Sequence, residues 1–404
     1  MNVAILGYGV VGSGVAEVFK LNHEKIVKKS EQESLELKYI LDLRDFPGDP
    51  FENLVIHNFD TILKDDSVKI VVETMGGVTP AYEWELACLK AGKSVVTSNK
   101  ELVAAKGCEL LRVAKENNVN FLFEASTGGG IPLLRPINQC LAANEIEEVA
   151  GILNGTTNYI LTKMFTEGVS FDDALKTAQE LGYAERNPSA DVDGLDAGRK
   201  ICILAALCFG THIYPDGVHT EGIRGITAAD VSFAENNGYV IKLIGSAKKI
   251  GENVQIMVSP AFIKDSSPLA AVNDVFNGVL VKGNAVGDVM FYGRGAGKLP
   301  TASAVVADVI DCAKHSEKRA EWGWDDAKEG YALPYEEFVS SFYVRLCGDA
   351  EKAAKTVSAD SFTAISGDEF VIVTPEISRR ELEEKLNSLG EAIKVNSIIR
   401  ISDY

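Results

Sequence analysis

The sequence has 404 residues, more than one ordinary hydrophobic core accommodates, so two or three domains are expected. Its net charge of −18, with few basic clusters, excludes nucleic acid and anionic membrane surfaces as expected partners, because both require a positive protein surface. The seven cysteines include no C-x-x-C pair, and no signal-peptide pattern or apolar run of membrane-spanning length is present. These features predict a protein of the reducing cytoplasm.

A glycine-rich turn near the start of the chain predicts a dinucleotide site. Residues 3–6 are a short apolar run, typical of a buried parallel strand, and residues 13–19 have helical spacing. Between them, Gly7 would allow a tight turn, Gly9 would let a pyrophosphate approach the backbone, and Gly12 would let the helix pack closely on the strand. The helix N-terminus would offer free N–H groups to the phosphates. A tight turn that binds nothing is the alternative.

The end of the second predicted strand, residues 37–43, is where such a fold meets the adenosine ribose. An acid there favours NAD through the ribose 2′-hydroxyl, whereas an arginine favours NADP through the 2′-phosphate. Asp42 and Asp45 are candidates for the first role and Arg44 for the second. We expect Arg44 to act and NADP to be preferred, with a solvated turn as the alternative.

Further strands at 68–73, 94–97 and 120–124, with a helix at 80–92, continue the strand–helix alternation over about the first 130 residues. This order predicts a parallel, doubly wound sheet. Lys100 follows the strand at 94–97, and the carboxyl ends of such strands face the ligand crevice. Lys100 is therefore a candidate active-site residue, and an exposed surface lysine is the alternative.

The rest of the chain changes character. Helices at 158–166 and 171–181, an apolar helix ending at Phe209, and strands at 254–259, 279–282 and 289–292 predict an α+β domain with a largely antiparallel sheet. A helix at 301–313, rich in small residues, is expected to return to the nucleotide domain and bring Gly297 near the cofactor. Residues 318–334 are expected to form a linker. The β-α-β-β-α-β order from 337 to 401 is typical of a ferredoxin-like domain.

Asp196 and Lys200 are four residues apart on a predicted helix and so share one face. The usual meaning of this spacing is a surface ion pair. The helix continues as an almost wholly apolar run, however, which predicts that the pair is buried and functional. Hydride transfer between an alcohol and an aldehyde also requires a proton transfer. We hypothesise that Lys100 and Lys200 meet across a cleft and lower each other's pKa by like-charge repulsion.

Several motifs, taken together in their order and spacing, resemble those of homoserine dehydrogenases over about residues 1–315. They lie at residues 7–12, 73–77, 97–100, 123–132, 151–158, 182–185, 191–200 and 293–297. The resemblance implies reversible, NAD(P)-dependent interconversion of L-homoserine and L-aspartate 4-semialdehyde, a reaction of threonine and methionine biosynthesis. It also implies a homodimer or a dimer of dimers, formed through the middle domain.

The resemblance also implies roles for individual residues. Lys200 would be the proton donor, with Lys100 and Asp196 as further catalytic residues. The implied substrate-binding residues are Glu185, which would bind the ammonium group, Asp191, Asp196, Thr156 and Tyr183. The implied cofactor contacts are Gly7, Tyr8, Gly9, Val10, Val11, Gly12, Arg44, Lys100, Gly182 and Gly297. A sodium-like cation would be held by Glu124, Thr127, Gly129 and Ile131, mainly through backbone carbonyls and one carboxylate.

The predicted fold class is α/β, with three domains. A Rossmann NAD(P)-binding domain comprises residues 1–135 and about 298–317, a substrate-binding and dimerisation domain 136–297, and a small ACT-like domain 335–404. Two other functions stay open at this point: a non-catalytic NAD(P)-binding sensor, and a related dehydrogenase of another small amino or hydroxy acid. A sensor could dispense with Asp196 and Lys200, and both are present.

Overall fold

The structure, a computed structural model, describes residues 1–316, 321–391 and 393–404. By internal contacts the chain divides into two units. Unit 1 comprises Met1–Asn144, Cys202–Pro215 and Gly293–Lys328, and unit 2 comprises Glu145–Ile201, Asp216–Tyr292 and Glu329–Tyr404. No helix of the described residues is both long enough and apolar enough to cross a membrane. The predicted three-domain boundaries stay predictions, and residue 317 lies outside the described residues.

The helices and strands of the first 130 residues alternate along the chain. They are β1 (Asn2–Leu6), α1 (Val10–Ser30), β2 (Glu36–Leu41), β3 (Val55–Ile56), α2 (Phe59–Leu63), β4 (Val68–Glu73), α3 (Ala81–Lys90), β5 (Ser94–Thr97), α4 (Lys100–Glu116), β6 (Phe121–Leu122) and α5 (Ala125–Gly128).

The remaining described elements mix long strands with helices. They are β7 (Ile146–Ile152), α6 (Gly155–Glu167), α7 (Phe171–Glu180), α8 (Ser189–Val192), α9 (Leu195–Phe209), β8 (His219–Thr220), α10 (Ala228–Asn236), β9 (Tyr239–Ile250), β10 (Asn253–Lys264), β11 (Phe276–Gly283), β12 (Gly287–Arg294), α11 (Lys298–Lys314), β13 (Val339–Cys347), α12 (Ala350–Val357), β14 (Phe362–Ser366), β15 (Glu369–Val373), β16 (Ile377–Ser378), α13 (Arg379–Asn387) and β17 (Lys394–Ser402).

Unit 1 is built on a parallel sheet with the strand order β3-β2-β1-β4-β5-β6. The central strands β1, β4 and β5 are nearly continuous apolar runs, because helices cover both faces of a parallel sheet. The predicted strands at 68–73 and 94–97 are confirmed, as is the doubly wound sheet. The helix predicted at 301–313 is α11, and it packs on α1 within this unit.

The expected linker at 318–334 is a packed segment where the structure describes it within unit 1; residues 318–320 lie outside the described part. Trp322 and Trp324 are both buried, with ring centroids 5.0 and 5.7 Å from that of Phe123. The division between the two units falls within this stretch, between Lys328 and Glu329, so the linker stays a prediction. Its tryptophans pack because their large apolar surface favours burial.

Unit 2 contains a mixed sheet that the sequence revealed only in part. Its order is β12-β11-β7-β9-β10-β17-β13-β15-β14. Sequence reasoning missed β7 and β9, because glycines interrupt their apolar alternation. Those glycines have a packing role. A Cβ on Gly151 would lie 2.6 Å from the carbonyl oxygen of Gly278 on β11, and one on Gly245 would lie 2.9 Å from Cδ1 of Leu153.

The C-terminal part of unit 2 is ferredoxin-like, as predicted, with the order β17-β13-β15-β14 and an apolar core under α12 and α13. Its sheet is not separate from the rest of unit 2. The β17 residues Arg400–Ser402 pair in parallel with β10 at Ala261–Ile263. This junction could not be read from either segment alone, since both have ordinary strand patterns.

Candidate active site

The glycine turn of unit 1 has the geometry that a dinucleotide phosphate requires. Gly7 has a φ of +92° and follows β1 directly. A Cβ on Gly12 would lie 2.0 Å from the carbonyl oxygen of Gly7, so only glycine fits where α1 packs against the turn. A Cβ on Gly9 would meet no atom of the described residues within 4 Å, and this residue is the N-cap of α1. Gly9 therefore leaves open space in front of free helix N–H groups. Val10 and Val11 form the first turn of that helix.

Asp42, just after β2, is tied to both Tyr8 and Arg44. Its carboxylate accepts the Tyr8 amide at 2.8 Å and a two-pronged bond from the Arg44 guanidinium at 2.9 and 3.0 Å. The Arg44 guanidinium holds the pKa of Asp42 well below its usual range. The Arg44 side chain remains 63% exposed. Arg44 thus neutralises the acid at the predicted ribose position while keeping its own outer face open to a ligand.

Tyr8 has no free side chain to offer a nucleotide. Its ring is buried and its hydroxyl donates to Asp49 at 2.9 Å. Burial is the main cause that raises the pKa of Tyr8 far above its usual value. Any contact of Tyr8 with the cofactor would therefore involve its backbone.

Gly297 lies near the glycine turn within unit 1. It is the N-cap of α11 with a φ of +123°, and the next residue, Lys298, pairs with Glu17 of α1 at 2.8 Å. A Cβ on Gly14 would lie 2.8 Å from the carbonyl oxygen of Lys298, so the start of α11 touches α1. The expectation that α11 brings Gly297 toward the nucleotide turn agrees with this packing.

The loop predicted to bind a cation, residues 124–131, contains one carboxylate, that of Glu124. The buried Glu124 carboxylate accepts three backbone amides, from Leu133, Leu134 and Arg135, at 2.5, 2.8 and 2.8 Å. It therefore braces the chain after the loop. The Thr127 hydroxyl is buried without a partner among the described residues. The four predicted cation ligands, Glu124, Thr127, Gly129 and Ile131, stay a prediction.

The backbone around Gly129 and Ile131 is tightly packed. Gly129 has a φ of +55°, and a Cβ on it would lie 2.3 Å from the carbonyl oxygen of Gly295. Ile131 is buried, and its amide donates to the carbonyl of Gly128 at 2.9 Å. Within the described residues, no three His, Cys, Asp or Glu side chains group to hold a metal. A hard, weakly held ion would need oxygen ligands here, which is what the predicted set of backbone carbonyls with one carboxylate would supply.

Lys200 lies on α9 in unit 2 and is almost fully buried, with 8% of its side chain exposed. Its Nζ donates to Oδ2 of Asp196 and to the carbonyl of Leu153, each at 2.7 Å. The predicted i,i+4 pair is confirmed, and the surface interpretation of it is wrong. A lysine with two fixed acceptors in a dry setting is held in one orientation.

Asn154 completes this cluster, and sequence reasoning missed its role. Its side-chain oxygen caps α6 through the Thr157 amide at 2.9 Å, while its side-chain nitrogen donates to Asp191 at 2.7 Å and to Asp196 at 2.9 Å. The N-cap of α6 thereby brings together two acids that lie on different elements. An Asn before a Gly-Thr-Thr run predicts a helix N-cap formed by the Asn side-chain oxygen. It does not show which residues accept hydrogen bonds from the side-chain nitrogen.

The other implied substrate residues of unit 2 lie on its surface or close to it. The Thr156 hydroxyl donates to the carbonyl of Tyr183 at 2.7 Å, and the Tyr183 ring is 44% exposed. Gly182 has a φ of +75° and is exposed, as is the side chain of Glu185.

In unit 1, Lys100 is the first residue of α4. It directly follows Asn99, whose side chain caps the helix through the Leu102 amide at 3.1 Å.

Comparisons with known proteins agree with this geometry. The model of the family described as "Homoserine dehydrogenase, NAD binding domain" matches residues 7–124, and that described as "Homoserine dehydrogenase" matches residues 132–310. The homoserine dehydrogenase of Synechocystis sp. is 39% identical over 431 residues, covering 99% of each chain. The chain belongs to the homoserine dehydrogenase family.

Solved structures support the same assignment. The crystal structure of a homoserine dehydrogenase from Thiobacillus denitrificans matches with a TM-score of 0.93 and 34% identity, covering 100% of this chain and 98% of that one. A hyperthermophilic archaeal homoserine dehydrogenase in complex with NADPH matches with a TM-score of 0.65 and 29% identity, covering 77% of this chain and 97% of that one. The predicted oxidoreductase function, homoserine dehydrogenase using NAD or NADP, is confirmed. The two alternative functions gain no support.

Two glycines at the start of α9 give a prediction about this family member's stability. A Cβ on Gly198 would lie 3.3 Å from the Thr220 hydroxyl, which can rotate away, so Gly198→Ala should stabilise the helix by up to about 1 kcal/mol. Gly194→Ala is the matched contrast. Gly194 has a φ of +83°, and its Cβ would lie 2.9 Å from Cγ2 of Thr220, so the change should destabilise by about 1–2 kcal/mol. Thermal unfolding of both variants checks this, and equal shifts would contradict it.

A second buried lysine in unit 2 predicts how stability depends on pH. Lys242 on β9 donates to Asn158, Val272 and Asn273 at 3.1, 2.6 and 3.1 Å, and Asp274 is the charged group beside it. Burial lowers the pKa of Lys242 to about 8. Between about pH 8 and the ordinary lysine pKa, the unfolded chain keeps a proton that the folded chain has released, so stability should rise with pH.

The Lys242→Met variant should lose this contribution, which amounts to about 3 kcal/mol over the whole interval. The measurement is urea unfolding at about pH 7.5 and about pH 10, comparing the pH-dependent change in wild type and variant. Lys249→Met, on the exposed end of the same strand, is the control and should follow wild type. Parallel pH curves for wild type and Lys242→Met would show that the buried amine does not titrate in this range.

Proposed function

We propose that Lys200 is the proton donor and acceptor of the homoserine dehydrogenase reaction in this protein. A nicotinamide cofactor, when bound, accepts hydride from the alcohol carbon of L-homoserine or supplies it to the aldehyde carbon of L-aspartate 4-semialdehyde. In the oxidation Lys200 Nζ, as a neutral amine, would take the hydroxyl proton; in the reduction, as an ammonium, it would give a proton to the developing alkoxide. The observation that carries this proposal is the burial of Lys200 between Asp196 and the Leu153 carbonyl.

Asp196 supports that role by holding the lysine in place. Its carboxylate accepts hydrogen bonds from the Lys200 ammonium and the Asn154 side-chain amide. The negative charge of Asp196 is therefore held next to Lys200, the proposed proton carrier. We propose that Asp191, Thr156 and Tyr183 contribute to the substrate pocket and that the exposed Glu185 binds the substrate ammonium. Lys100 is proposed as a second catalytic lysine, and Gly182 as a cofactor contact. The mutual pKa effect of the two lysines stays a prediction.

We also propose that NADP is preferred over NAD. Arg44 covers the Asp42 carboxylate that would otherwise accept a ribose hydroxyl, and its exposed guanidinium offers charge to a 2′-phosphate. Arg44→Gln should lower kcat/KM for NADP by about 10- to 100-fold, the loss of a charge-assisted hydrogen bond. The NAD value should change little. An equal loss for both cofactors would contradict the preference.

Two further proposals concern the assembly and the cation. A homodimer is proposed on the family resemblance. The aromatic side chain of Tyr292, on edge strand β12, is 54% exposed, and a second copy of the chain would bury it. A sodium ion held by Glu124, Thr127, Gly129 and Ile131 is proposed on the buried Thr127 hydroxyl, which has no hydrogen-bond partner among the described residues. A cytoplasmic location fits the free thiols of all seven cysteines.

The experiment that tests the proposed function follows nicotinamide absorbance with L-homoserine, comparing NADP with NAD. Turnover by wild type and its near loss in Lys200→Met would support both the reaction and the proton carrier. Cofactor binding by folded wild type without turnover would contradict the proposal. Light scattering tests the proposed homodimer by measuring the mass in solution. Activity with sodium replaced by a larger cation tests the proposed cation site.

A further inference from the structure

One buried acid of unit 1 has no place in the chemistry described so far. Glu85 lies on α3, and its side chain is completely inaccessible to solvent. Neither of its carboxyl oxygens has a hydrogen-bond donor within reach among the described residues. An ionised carboxylate in such a place would be uncompensated, which proteins avoid by keeping the group protonated. Glu85 is therefore a neutral acid, and its O–H needs an acceptor.

A second buried glutamate, Glu73, lies at the carboxyl end of β4 and is the charged group that acts on Glu85. Glu73 already accepts the amides of Met75 and Gly76 at 2.6 and 3.1 Å through Oε1, and the Thr97 hydroxyl at 2.6 Å through Oε2. Three donors mark it as the charged member of the pair. The Thr97 hydroxyl donates to Glu73, and Thr97 is the weakest of the influences on the pKa of Glu85. Burial, followed by the Glu73 charge, raises the pKa of Glu85 well above its usual value.

Glu73 matters because of what it holds. By accepting two amides it fixes the turn at residues 74–77, and that turn rests on the glycine turn of the nucleotide site. The Thr74 hydroxyl donates to the carbonyl of Gly7 at 2.9 Å. A Cβ on Gly7 would lie 3.2 Å from Cα of Met75, and one on Gly12 would lie 2.8 Å from Oγ1 of Thr74. A shift of the 74–77 turn would therefore move the backbone that faces the pyrophosphate.

The same carboxylate also reaches the end of β5. The Thr97 oxygen accepts the Asn99 amide at 2.9 Å, and the Asn99 side chain donates to the carbonyl of Gly77 at 2.6 Å. Asn99 is the residue before Lys100 and caps α4. The ends of two neighbouring strands are thus joined through one buried negative charge, at the sheet edge where parallel folds bind their ligands.

We propose that Glu85 is a neutral carboxylic acid that donates a hydrogen bond to the Glu73 carboxylate, and that this acid pair positions the turn at residues 74–77 for the dinucleotide. Glu85 is a positioning residue and touches no ligand. Glu73 is the charged group that faces it, and Cys88, on its own helix, is the nearby titratable group. The inference rests on the proposed dinucleotide site, so its test is separated from turnover.

Two variants and one spectrum test the acid pair. Glu85→Gln keeps a donor for Glu73 and cannot ionise, whereas Glu85→Leu keeps bulk and removes the donor. The infrared difference spectrum of wild type minus Glu85→Gln should show the carbonyl stretch of a protonated acid at neutral pH. NADPH affinity, from fluorescence titration, should be unchanged in Glu85→Gln and about tenfold weaker in Glu85→Leu, the loss of one charge-assisted hydrogen bond.

Leu89→Val is the control for a general loss of packing, because it creates a small cavity at a fully buried position of the same helix. Its NADPH affinity should match wild type. The proposal is overturned if wild type lacks the protonated-acid band, or if Glu85→Leu binds NADPH as tightly as wild type. Should Glu85→Leu not fold, the spectrum and the Glu85→Gln affinity still decide. Failure of wild type to bind NADPH would contradict the nucleotide proposal alone, because the infrared band reports the acid pair without a ligand.

Discussion

Lys200→Met is expected to lower kcat for L-homoserine oxidation by roughly a thousandfold while leaving NADPH affinity unchanged. General acid–base groups contribute about 10²–10⁴-fold to the rate, and methionine keeps most of the lysine side chain while removing its titratable amine. Lys200 lies in unit 2, whereas the glycine turn lies in unit 1, so the nucleotide contacts of that turn should survive. Steady-state absorbance gives kcat, and fluorescence titration gives the NADPH dissociation constant.

The control for this variant is another lysine in an i,i+4 pair. Lys163 bonds Glu167 at 2.7 Å on α6, and the Glu167 side chain is 53% exposed. Lys163→Met should keep wild-type kcat, since exposed pairs contribute little. If Lys200→Met kept more than about a tenth of wild-type kcat, the acid–base contribution assigned to it would be absent. The proton would then come from another group, with Lys100 the first candidate.

Local patterns determined what could be predicted from the sequence. The turn from Gly7 to Gly12 and the strands at 68–73 and 94–97 depend on neighbours a few residues away, so their local structure was predicted correctly. The Asp196–Lys200 pair was also local, because one helix carries both residues. Burial of that pair followed from the apolar run after it. Each of these predictions needed only one element and its immediate flanks.

Features that depend on distant partners could not be predicted in this way. Asn154 meets Asp191 and Asp196 across separations of 37 and 42 residues, and no spacing rule links a helix cap to those acids. Glu85 is a comparable case. Its helix carries charged residues on several sides, so the sequence does not show that this acid alone is fully buried. Burial of polar groups is decided by packing between elements, which a single-sequence pattern does not contain.

The hydrogen bonds of Glu124 could not be predicted from its motif, and its role as a cation ligand stays a prediction. The resemblance implied a cation ligand, and the motif position is occupied by the expected acid. In the structure both carboxylate oxygens accept backbone amides from Leu133, Leu134 and Arg135. A motif specifies the residue type at a position. The hydrogen-bond donors around that residue depend on where the next residues of the chain fold.

Gly9→Ala is expected to separate ligand binding from folding at the glycine turn. Because a Cβ on Gly9 meets no protein atom within 4 Å, the variant should keep the wild-type unfolding temperature. The added methyl group would project into the open space in front of the helix N-terminus, where a pyrophosphate needs the bare backbone. NADPH affinity should therefore fall by about tenfold or more, a loss of at least about 1.4 kcal/mol.

Gly12→Ala provides the contrast from within the same motif. Its Cβ would lie 2.0 Å from the carbonyl oxygen of Gly7, so α1 must move away from β1 before any ligand arrives. Unfolding temperature and NADPH affinity should then fall together, since a displaced helix N-terminus no longer faces the phosphates. Calorimetry and fluorescence titration on the two variants measure both quantities. Loss of stability in Gly9→Ala, or unchanged NADPH affinity in it, would show that the space in front of Gly9 is not where the dinucleotide binds, and the same six-residue turn would then have a purely structural role.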